Sequence, residues 1–252
     1  MILLAAMAAE TSGFGRFFRL GRERRAGELR YRVGGFEGTA LLVGTCGIGK
    51  DKAAGATETL LTPGRLSELL APPQAIVSFG VAGALGPGYQ LHEFVLCQSI
   101  GDEAGGRVDS DPRLAAAARE SLDATSYLWR EATSLTVNRV IGSPIEKAAL
   151  HRETGAGIVE MESFEIGRVA AQNRVPSLTL RAISDLDETP LPDFSKFMVE
   201  NRVDRSKLAI HLVKHPRDGA RLAHFLAVTR TAATRFVRVF EELIPRIGNL
   251  SP

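Results

Sequence analysis

The sequence predicts an α/β fold in which helices cover both faces of a mixed or mostly parallel sheet. Short apolar segments alternate with helical segments along the chain, and this alternation is typical of such sheets. The apolar fraction of 44% and the charged fraction of 24% are those of an ordinary globular protein. A length of 252 residues suits one large domain, and we expect a single domain over residues 1–252.

Apolar runs bounded by turn residues carry the strand prediction. They lie at residues 2–7, 29–34, 39–45, 75–80, 94–97, 158–162 and 177–183. Helices are predicted at 51–61, 113–122, 145–152, 163–172 and 217–243, with Pro144 placed well for a first turn. Residues 80–83, which are glycine, valine, alanine and glycine, are predicted to form a turn after the fourth strand.

Residues that could carry chemistry follow the ends of several predicted strands. Glu10 follows the first strand, residues 80–83 the fourth, Glu162 the sixth and Asp185 the seventh. In sheets of this kind ligands bind outside the carboxyl ends of the strands, so we expect these residues to share one site. Each signal also has an ordinary alternative. Glu160 and Glu162 could be a solvated surface pair, and Asp185 could belong to a simple turn.

Composition argues against several classes of function. A net charge of +2 gives no reason to expect nucleic acid as a partner, and the histidines lack the spacing of metal ligands. Cys46 and Cys97 lie outside any CxxC motif and are predicted to be buried thiols in a reducing cytosol, with a disulfide as the alternative. The apolar N-terminus has no basic segment and ends at Glu10. These features favour a buried strand over a signal peptide, so we expect a cytoplasmic protein.

Four blocks of the sequence match a known family in order and spacing. They are Ala6-Met7-Ala8-Ala9-Glu10, Gly47-Ile48-Gly49-Lys50, Gly80-Val81-Ala82-Gly83, and Val159-Glu160-Met161-Glu162 with Arg181-Ala182-Ile183-Ser184-Asp185. Over residues 1–190 the chain resembles the purine nucleoside phosphorylase/uridine phosphorylase superfamily, and among its branches the methylthioadenosine/S-adenosylhomocysteine nucleosidases. The resemblance implies a three-layer α/β/α sandwich with a mixed, partly barrel-like central sheet. It also implies a homo-oligomer, either a dimer or a larger assembly.

The same resemblance implies a role for each acid in breaking the N-glycosidic bond of a purine nucleoside. Asp185 would protonate or hydrogen-bond N7 of the purine, and Ser184 would hold its carboxyl group. Glu162 would bind the ribose hydroxyls, Met161 would pack under the sugar, and Glu10 would orient or deprotonate the attacking water. To act as the acid, Asp185 must hold a proton near neutrality, which requires desolvation in a closed site.

Further residues are implied to line the substrate site. They are Val140 and Ile141 beside the base, Gly80 and Val81, whose backbone N–H groups could approach a sugar or a phosphate, and Glu160, whose carboxylate could bind hydroxyls. Arg181 and Lys50 are candidate neighbours of a phosphate group, although residues 44–50 do not fit the phosphate-loop pattern. No cofactor is implied. Inorganic phosphate is a candidate co-substrate, and the sequence leaves water and phosphate open as nucleophiles.

The branch of the family is indicated by departures from the nucleosidases. Val81 stands where a serine is typical, and Val140 stands where an aromatic residue stacks on adenine. The C-terminal region instead resembles the hopanoid-associated phosphorylases, at Leu191-Pro192, Leu212, His215-Pro216, Leu222-Ala223 and Thr229-Arg230. This resemblance implies adenosylhopane, a nucleoside with a large lipid at the 5′ carbon, as substrate. A small-substrate nucleosidase and a non-catalytic nucleoside-binding module are the alternatives.

Two arginine-rich segments leave membrane contact open. Phe17 and Phe18 lie among the arginines of residues 16–25, and the predicted last helix carries a basic face. That face consists of Arg217, Arg221, Arg230, Arg235 and Arg238. Arginine and phenylalanine together suit peripheral contact with anionic lipid. A solvated arginine face over an ordinary core helix is the favoured alternative.

Overall fold

The computed structural model describes residues 1–64, 66, 73–191, 198–199, 202–203 and 216–250. The strands are β1 (Ile2–Ala5), β2 (Arg24–Ala26), β3 (Leu29–Phe36), β4 (Thr39–Thr45), β5 (Ile76–Ala84), β6 (Phe94–Asp102), β7 (Arg107–Asp109), β8 (Trp129–Thr136), β9 (Ile158–Glu160), β10 (Ser177–Asp185), β11 (Met198–Val199) and β12 (Arg202–Val203). The helices are α1 (Phe14–Phe17), α2 (Lys50–Leu61), α3 (Pro112–Asp123), α4 (Pro144–Thr154), α5 (Ser163–Gln172) and α6 (Pro216–Gly248). Pro192, His211, Leu212 and His215 lie outside the described residues.

Strands β1 to β10 form one sheet that partly closes on itself. Its order runs β10, β6, β8, β9, β5, and β10 pairs again with β5, so these five strands make a barrel. From β5 the sheet continues outward through β1, β4, β3 and β2, while β7 pairs with β6. Parallel pairs such as β1–β5 and β5–β10 stand beside antiparallel pairs such as β3–β4 and β6–β10. The predicted mixed, partly barrel-like sheet is therefore confirmed.

Helices cover both faces of the sheet because successive strand residues point to opposite sides. In β1, Leu3 joins the apolar cluster beneath α3 and α6, whereas Ile2 and Leu4 join the cluster beneath α2 and α5. On the α6 side, the ring of Phe79 lies 5.3 Å from Phe236 and 5.0 Å from Phe240, measured between centroids. These two helical layers around the sheet confirm the α/β/α sandwich.

Several helix predictions agree closely with the structure. α5 spans residues 163–172 as predicted, and α4 begins at Pro144, whose fixed backbone angle suits a first helical turn. α6 extends beyond the predicted end at residue 243, because Ile244 and Ile247 continue its buried face into the core.

Two predictions about strand ends are wrong. Residues 80–83 do not form a turn but lie within β5, which continues to Ala84. β9 ends at Glu160, so Glu160 and Glu162 do not alternate along one strand, and Glu162 is instead the N-cap of α5.

β8 is not predicted from the sequence because its first five residues are only half-buried and mostly polar, which hides the strand pattern. Within the described part of the chain, no helix combines the length and apolar character needed to cross a membrane.

Candidate active site

The carboxyl ends of β1, β5 and β10 border a cavity of about 470 Å³. Glu10, Glu162 and Asp185 line it together, with only 3%, 8% and 4% of their surfaces exposed. Other predicted site residues that line the cavity are Val81, Val140, Ile141, Glu160, Met161 and Ser184. The structure thus brings residues from five separate segments of the chain to one enclosed place.

Glu10 lies in the loop after β1, where backbone N–H groups hold its carboxyl group. Oε2 accepts hydrogen bonds from the N–H groups of Ala6 and Met7 at 3.1 and 2.7 Å, and Oε1 accepts one from Val81 at 2.9 Å. Burial raises the pKa of Glu10, although these hydrogen bonds oppose the shift. A fixed carboxyl group with a raised pKa suits a general base, because basicity grows with pKa.

Gly80 and Gly83 of β5 leave room for two of the acids. A Cβ atom on Gly80 would overlap Oε1 of Glu10, and one on Gly83 would lie 2.8 Å from Oδ2 of Asp185. Real Cβ atoms do not approach oxygen so closely, so a side chain at either position would displace the neighbouring acid. Close approach of carboxyl groups, rather than reversal of the chain, accounts for the glycines in this segment. Gly80 itself does not line the cavity.

The carboxylate of Glu160 is occupied by partners within the protein. Oε2 accepts hydrogen bonds from Nη2 of Arg181 at 2.9 Å and from the hydroxyl and N–H groups of Ser163, both at 2.8 Å. Oε1 accepts a hydrogen bond from the hydroxyl group of Thr136. Burial alone would raise the pKa of Glu160, but the charge of Arg181 and these hydrogen bonds bring it below its ordinary value. Glu160 is therefore ionised at neutral pH.

Arg181 does not line the cavity, and only 2% of its surface is exposed. Besides Glu160, its Nη2 donates to the hydroxyl groups of Ser78, at 2.9 Å, and of Ser163. Its Nη1 donates to the carbonyl oxygen of Leu180 at 3.0 Å. This placement contradicts the interpretation of Arg181 as a phosphate neighbour, because its guanidinium group is turned toward the buried acid.

Glu162 stands at the N-terminus of α5 and faces the cavity. Its Oε1 accepts a hydrogen bond from the N–H group of Gly49 at 2.8 Å. Burial raises the pKa of Glu162 to about 8, and the negative charge of Glu160 adds to the shift. At neutral pH the free protein thus holds one ionised and one protonated glutamate two residues apart. A protonated carboxyl group both donates and accepts hydrogen bonds, which suits contact with sugar hydroxyls.

Asp185 ends β10, and both of its carboxylate oxygens have partners. The hydroxyl group of Ser184 donates to Oδ1 at 2.7 Å, which is the contact that the family resemblance implies. Oδ2 lies 2.5 Å from Nζ of Lys147, a fully buried side chain of α4. The two side chains form an ion pair that is shielded from solvent. Protonation of Asp185 stays a prediction, to which the structure adds the buried Lys147 as a partner of the carboxyl group.

Sequence reasoning missed Lys147 altogether. A lysine on a helix with mixed polar and apolar residues ordinarily reaches solvent, and neither spacing nor a motif distinguishes this one. Sequence reasoning also missed that the first half of α6 contributes to the cavity wall.

Leu222, Phe225 and Leu226 belong to the predicted apolar stripe, but they line the cavity rather than the core. The stripe reaches the core only farther along the helix.

The remaining wall of the cavity combines apolar side chains with a few cations. Val140 is 37% exposed at the wall, and Ile141 beside it is buried. Lys50 lines the cavity with its Nζ 3.5 Å from the carboxylate of Asp102. Among the residues that the structure describes, no group of three His, Cys, Asp or Glu side chains is arranged to hold a metal ion. Cys46 and Cys97 are buried free thiols, as predicted.

The sequence model of the phosphorylase superfamily matches residues 1–214. The chain belongs to the phosphorylase superfamily. No curated protein matches its sequence.

Solved structures share the fold of this superfamily member at low sequence identity. Futalosine hydrolase of Helicobacter pylori strain 26695 is 17% identical, with a TM-score of 0.75 over 97% of this chain and 96% of that one. The 5′-methylthioadenosine/S-adenosylhomocysteine nucleosidase of Neisseria meningitidis, in complex with methylthio-immucillin-A, is 18% identical, with a TM-score of 0.74 over 96% and 97% of the two chains. The Helicobacter pylori nucleosidase of the same name is 16% identical, with a TM-score of 0.75 over 97% of each chain.

Proposed function

We propose that this phosphorylase-superfamily protein is an enzyme that cleaves the N-glycosidic bond of a purine nucleoside, with adenine as the leaving base. The convergence of Glu10, Glu162 and Asp185 on one cavity is the observation that carries the proposal. A module that only bound nucleosides would not need a carboxyl group at each of three reacting positions. The nucleoside analogue bound to the Neisseria meningitidis nucleosidase supports a nucleoside as ligand.

The chemistry of the bond assigns a role to each acid. Breaking the bond leaves positive charge on the ribose and negative charge on the purine. Asp185 would deliver or hold a proton at N7 of the base, and such general acid help contributes about 10²–10⁴-fold in rate. Glu162 would bind the ribose hydroxyls, and Glu10 would take a proton from the attacking oxygen nucleophile. Ionised carboxyl groups beside the sugar also stabilise its developing positive charge.

We further propose that the substrate carries a large apolar group at the 5′ carbon of the ribose, as adenosylhopane does. The apolar side chains of Leu222, Phe225 and Leu226 line one part of the cavity, where they could cover such a group. The cavity of about 470 Å³ lies within the range of small-molecule sites, about 300–1,000 Å³. The aliphatic Val140 offers contact area to the substrate without an aromatic face for stacking. A methylthioadenosine/S-adenosylhomocysteine nucleosidase is the alternative function.

The nucleophile is either water or inorganic phosphate. Lys50 is the cavity-lining lysine, and it would have to exchange Asp102 for a phosphate group to bind one. Arg181 is committed to Glu160, and Val81 offers its backbone N–H group to Glu10. Arg139 and Arg221 also line the cavity and pair with Glu146 and Asp218, so each described cation of the wall already has a carboxylate partner. These pairings favour water, so we propose hydrolysis as the first reaction to assay.

Adenine release from a panel of nucleosides tests the function. The panel comprises adenosine, methylthioadenosine, S-adenosylhomocysteine and adenosine analogues with long alkyl groups at the 5′ carbon. Each is assayed with and without inorganic phosphate, and ribose or ribose 1-phosphate is identified as the second product. We expect the alkyl analogues to give the highest kcat/KM and phosphate to have no effect.

The outcomes separate the alternatives. Acceleration by phosphate, with ribose 1-phosphate as product, would identify a phosphorylase. A preference for methylthioadenosine would favour the nucleosidase. Release of no base from any nucleoside would leave only a binding module. As a control, Asp185→Asn is expected to abolish adenine release, and wild-type rates in that variant would remove Asp185 from the mechanism.

Peripheral membrane contact is a separate proposal that a lipid-linked substrate would make useful. Phe17 is 45% exposed among arginines, which favours it. The arginines of α6 favour a solvated surface, because Arg221 and Arg238 pair with Asp218 and Glu241 and Arg235 lies over the ring of Tyr127. Flotation with anionic liposomes tests the proposal, and absence of salt-sensitive binding would end it.

We also propose that the chain assembles into a homo-oligomer, which measurement of its native mass would test. A cytoplasmic location is a further proposal, which cell fractionation would test.

A further inference from the structure

Lys147 lies directly behind Asp185 as seen from the cavity. Asp185 lines the cavity, whereas Lys147 does not and has no exposed surface. Its Nζ donates to Oδ2 of Asp185 at 2.5 Å, to the carbonyl oxygen of Leu186 at 2.7 Å and to that of Thr189 at 3.4 Å. Each of the three N–H bonds of the ammonium group therefore has an acceptor.

The stability of the fold does not explain why the Lys147–Asp185 ion pair is buried. Removing two charges from water costs several kcal/mol per ion, and a buried pair is often no more stabilising than apolar residues of similar volume. A methionine in α4 would fill the same space without that cost. The pair is therefore better explained by the reaction of the group that Lys147 touches.

The surroundings of Nζ suit both of its protonation states. A neutral amine keeps two N–H bonds, which the carbonyl oxygens of Leu186 and Thr189 can still accept. Its lone pair would then face Oδ2 and accept a hydrogen bond from a protonated Asp185. A proton can thus move between Nζ and Oδ2 without leaving any N–H group unpaired.

We propose that Lys147 supplies the proton that Asp185 transfers to the leaving base. This inference rests on the proposed glycosidic cleavage. One proton moves from Nζ to Oδ2 of Asp185 and then to N7 of the purine, while the electron pair of the C1′–N9 bond passes to the base. C1′ forms its new bond to the oxygen of the attacking water, whose proton Glu10 takes. Asp185 ends as a carboxylate and Lys147 as a neutral amine. After the base departs, Lys147 regains a proton from solvent. Lys147 acts through Asp185 and is a positioning residue, because it does not touch the substrate.

A substrate that needs no proton separates this role from a structural one. A purine nucleoside methylated at N7 already carries positive charge on its base, so the base leaves without general acid help. Lys147→Arg keeps a positive charge beside Asp185 but replaces the donor with a group that does not give up its proton in proteins. We expect this variant to lose about 10²–10⁴-fold in kcat on the adenine nucleoside with little change in KM. On the N7-methylated nucleoside it should keep nearly the wild-type kcat.

Lys147→Met provides a second variant that does not overfill the buried site. Asp185 must then take its proton from solvent, so the rate on the adenine nucleoside should fall more steeply with rising pH than the wild-type rate does. The other titratable groups near the site are unchanged in every variant. They are Glu10, Lys50, Asp51, Arg139, Glu160, Glu162 and Arg221 around the cavity, Asp187 after β10, and Glu146 and His151 on α4. Arg152→Met removes an exposed cation from the same helix and should change neither rate.

The results that overturn the inference are distinct from failure of the proposed function. Wild-type kcat on the adenine nucleoside in Lys147→Arg would show that only charge is needed. Equal losses on both nucleosides in a folded variant would show a structural role. In both cases the wild-type protein cleaves nucleosides. If the wild-type protein cleaves neither nucleoside, the proposed function and this inference fall together.

Discussion

Replacing Glu162 with glutamine should make the fold less sensitive to alkaline pH. The pKa of Glu162 is raised from 4.5 in the unfolded chain to about 8 in the folded one by burial and by Glu160. Between these values the folded chain holds a proton that the unfolded chain has lost, so the free energy of unfolding falls as pH rises. Above about pH 8 the folded protein bears the full cost of an ionised Glu162.

The size of the effect follows from the shift. Each pH unit within the window costs about 1.4 kcal/mol, so the wild-type protein should lose on the order of 3 kcal/mol between about pH 6 and about pH 8 through this group. Glutamine has the same shape, is neutral at every pH and keeps an oxygen for the N–H group of Gly49. The Glu162→Gln variant avoids this loss of about 3 kcal/mol. In a domain of this size, that difference corresponds to a Tm higher by about 6–12 °C than the wild-type Tm at about pH 9.

Circular dichroism measures the Tm of both proteins between about pH 6 and about pH 9, and the difference between the two Tm values tests the prediction. Glu165→Gln is the matched control, because Glu165 lies on the same helix but pairs with Arg168 at the surface, 2.7 Å away. The control should not alter the pH dependence of the wild-type protein. Parallel losses of Tm in wild type and Glu162→Gln would refute the reasoning, because they would show that Glu162 titrates equally in the folded and unfolded chains.

Three other predictions concern the surroundings of the acids and the outer wall of the cavity. Asp185→Asn should lower the free energy of unfolding by about 3–5 kcal/mol, because the buried ammonium group of Lys147 loses its negatively charged partner, and denaturant unfolding should show recovery when Lys147→Met is added. Gly80→Ala should displace Glu10 and lower kcat with a loss of about 1–3 kcal/mol in stability, and an unchanged kcat would contradict the steric argument. Phe225→Ala should raise KM about tenfold for adenosine analogues with long 5′ alkyl groups and leave KM for adenosine nearly unchanged, as steady-state kinetics would show.

The acids could be predicted from sequence because their positions depend on local pattern and on one general property of parallel sheets. Glu10 and Asp185 come at the ends of apolar runs, and those runs form β1 and β10, both of which pair in parallel with β5. The carboxyl ends of parallel neighbours lie at one edge of a sheet. Once the strands are recognised, the meeting of these side chains needs no further information.

Contacts that depend on distant pairing could not be predicted in this way. Lys147 meets Asp185 across 38 positions of the chain, and Arg181 meets Glu160 across 21. Nothing in the local pattern around a lysine or arginine tells whether its side chain turns inward to an acid or outward to water. The sequence therefore offers Arg181 as a phosphate neighbour, whereas in the structure it binds Glu160.

The segment at residues 80–83 illustrates a different limit. Glycine favours turns because it adopts unusual backbone angles, but it is also needed wherever another group comes too close for a Cβ atom. Gly83 serves the second purpose, because Asp185 approaches it closely, whereas Gly80 serves both, since its φ is 154° and Glu10 approaches it. In the sequence, a glycine that allows a turn looks the same as a glycine that makes room for another group. Only the positions of Glu10 and Asp185 in the structure tell the two apart.

The charges around the cavity suggest how four acids coexist in so small a space. Arg181 compensates Glu160 and Lys147 compensates Asp185, whereas burial raises the pKa values of Glu10 and Glu162 and thereby favours their neutral forms. Two of the four acids are thus paired with cations, and Glu162 is neutral at pH 7 because its pKa is raised to about 8. Positive charge that develops on a bound ribose would favour the ionised forms of the two uncompensated acids. Their stabilising effect would then be greatest in the transition state, which is where binding energy accelerates a reaction.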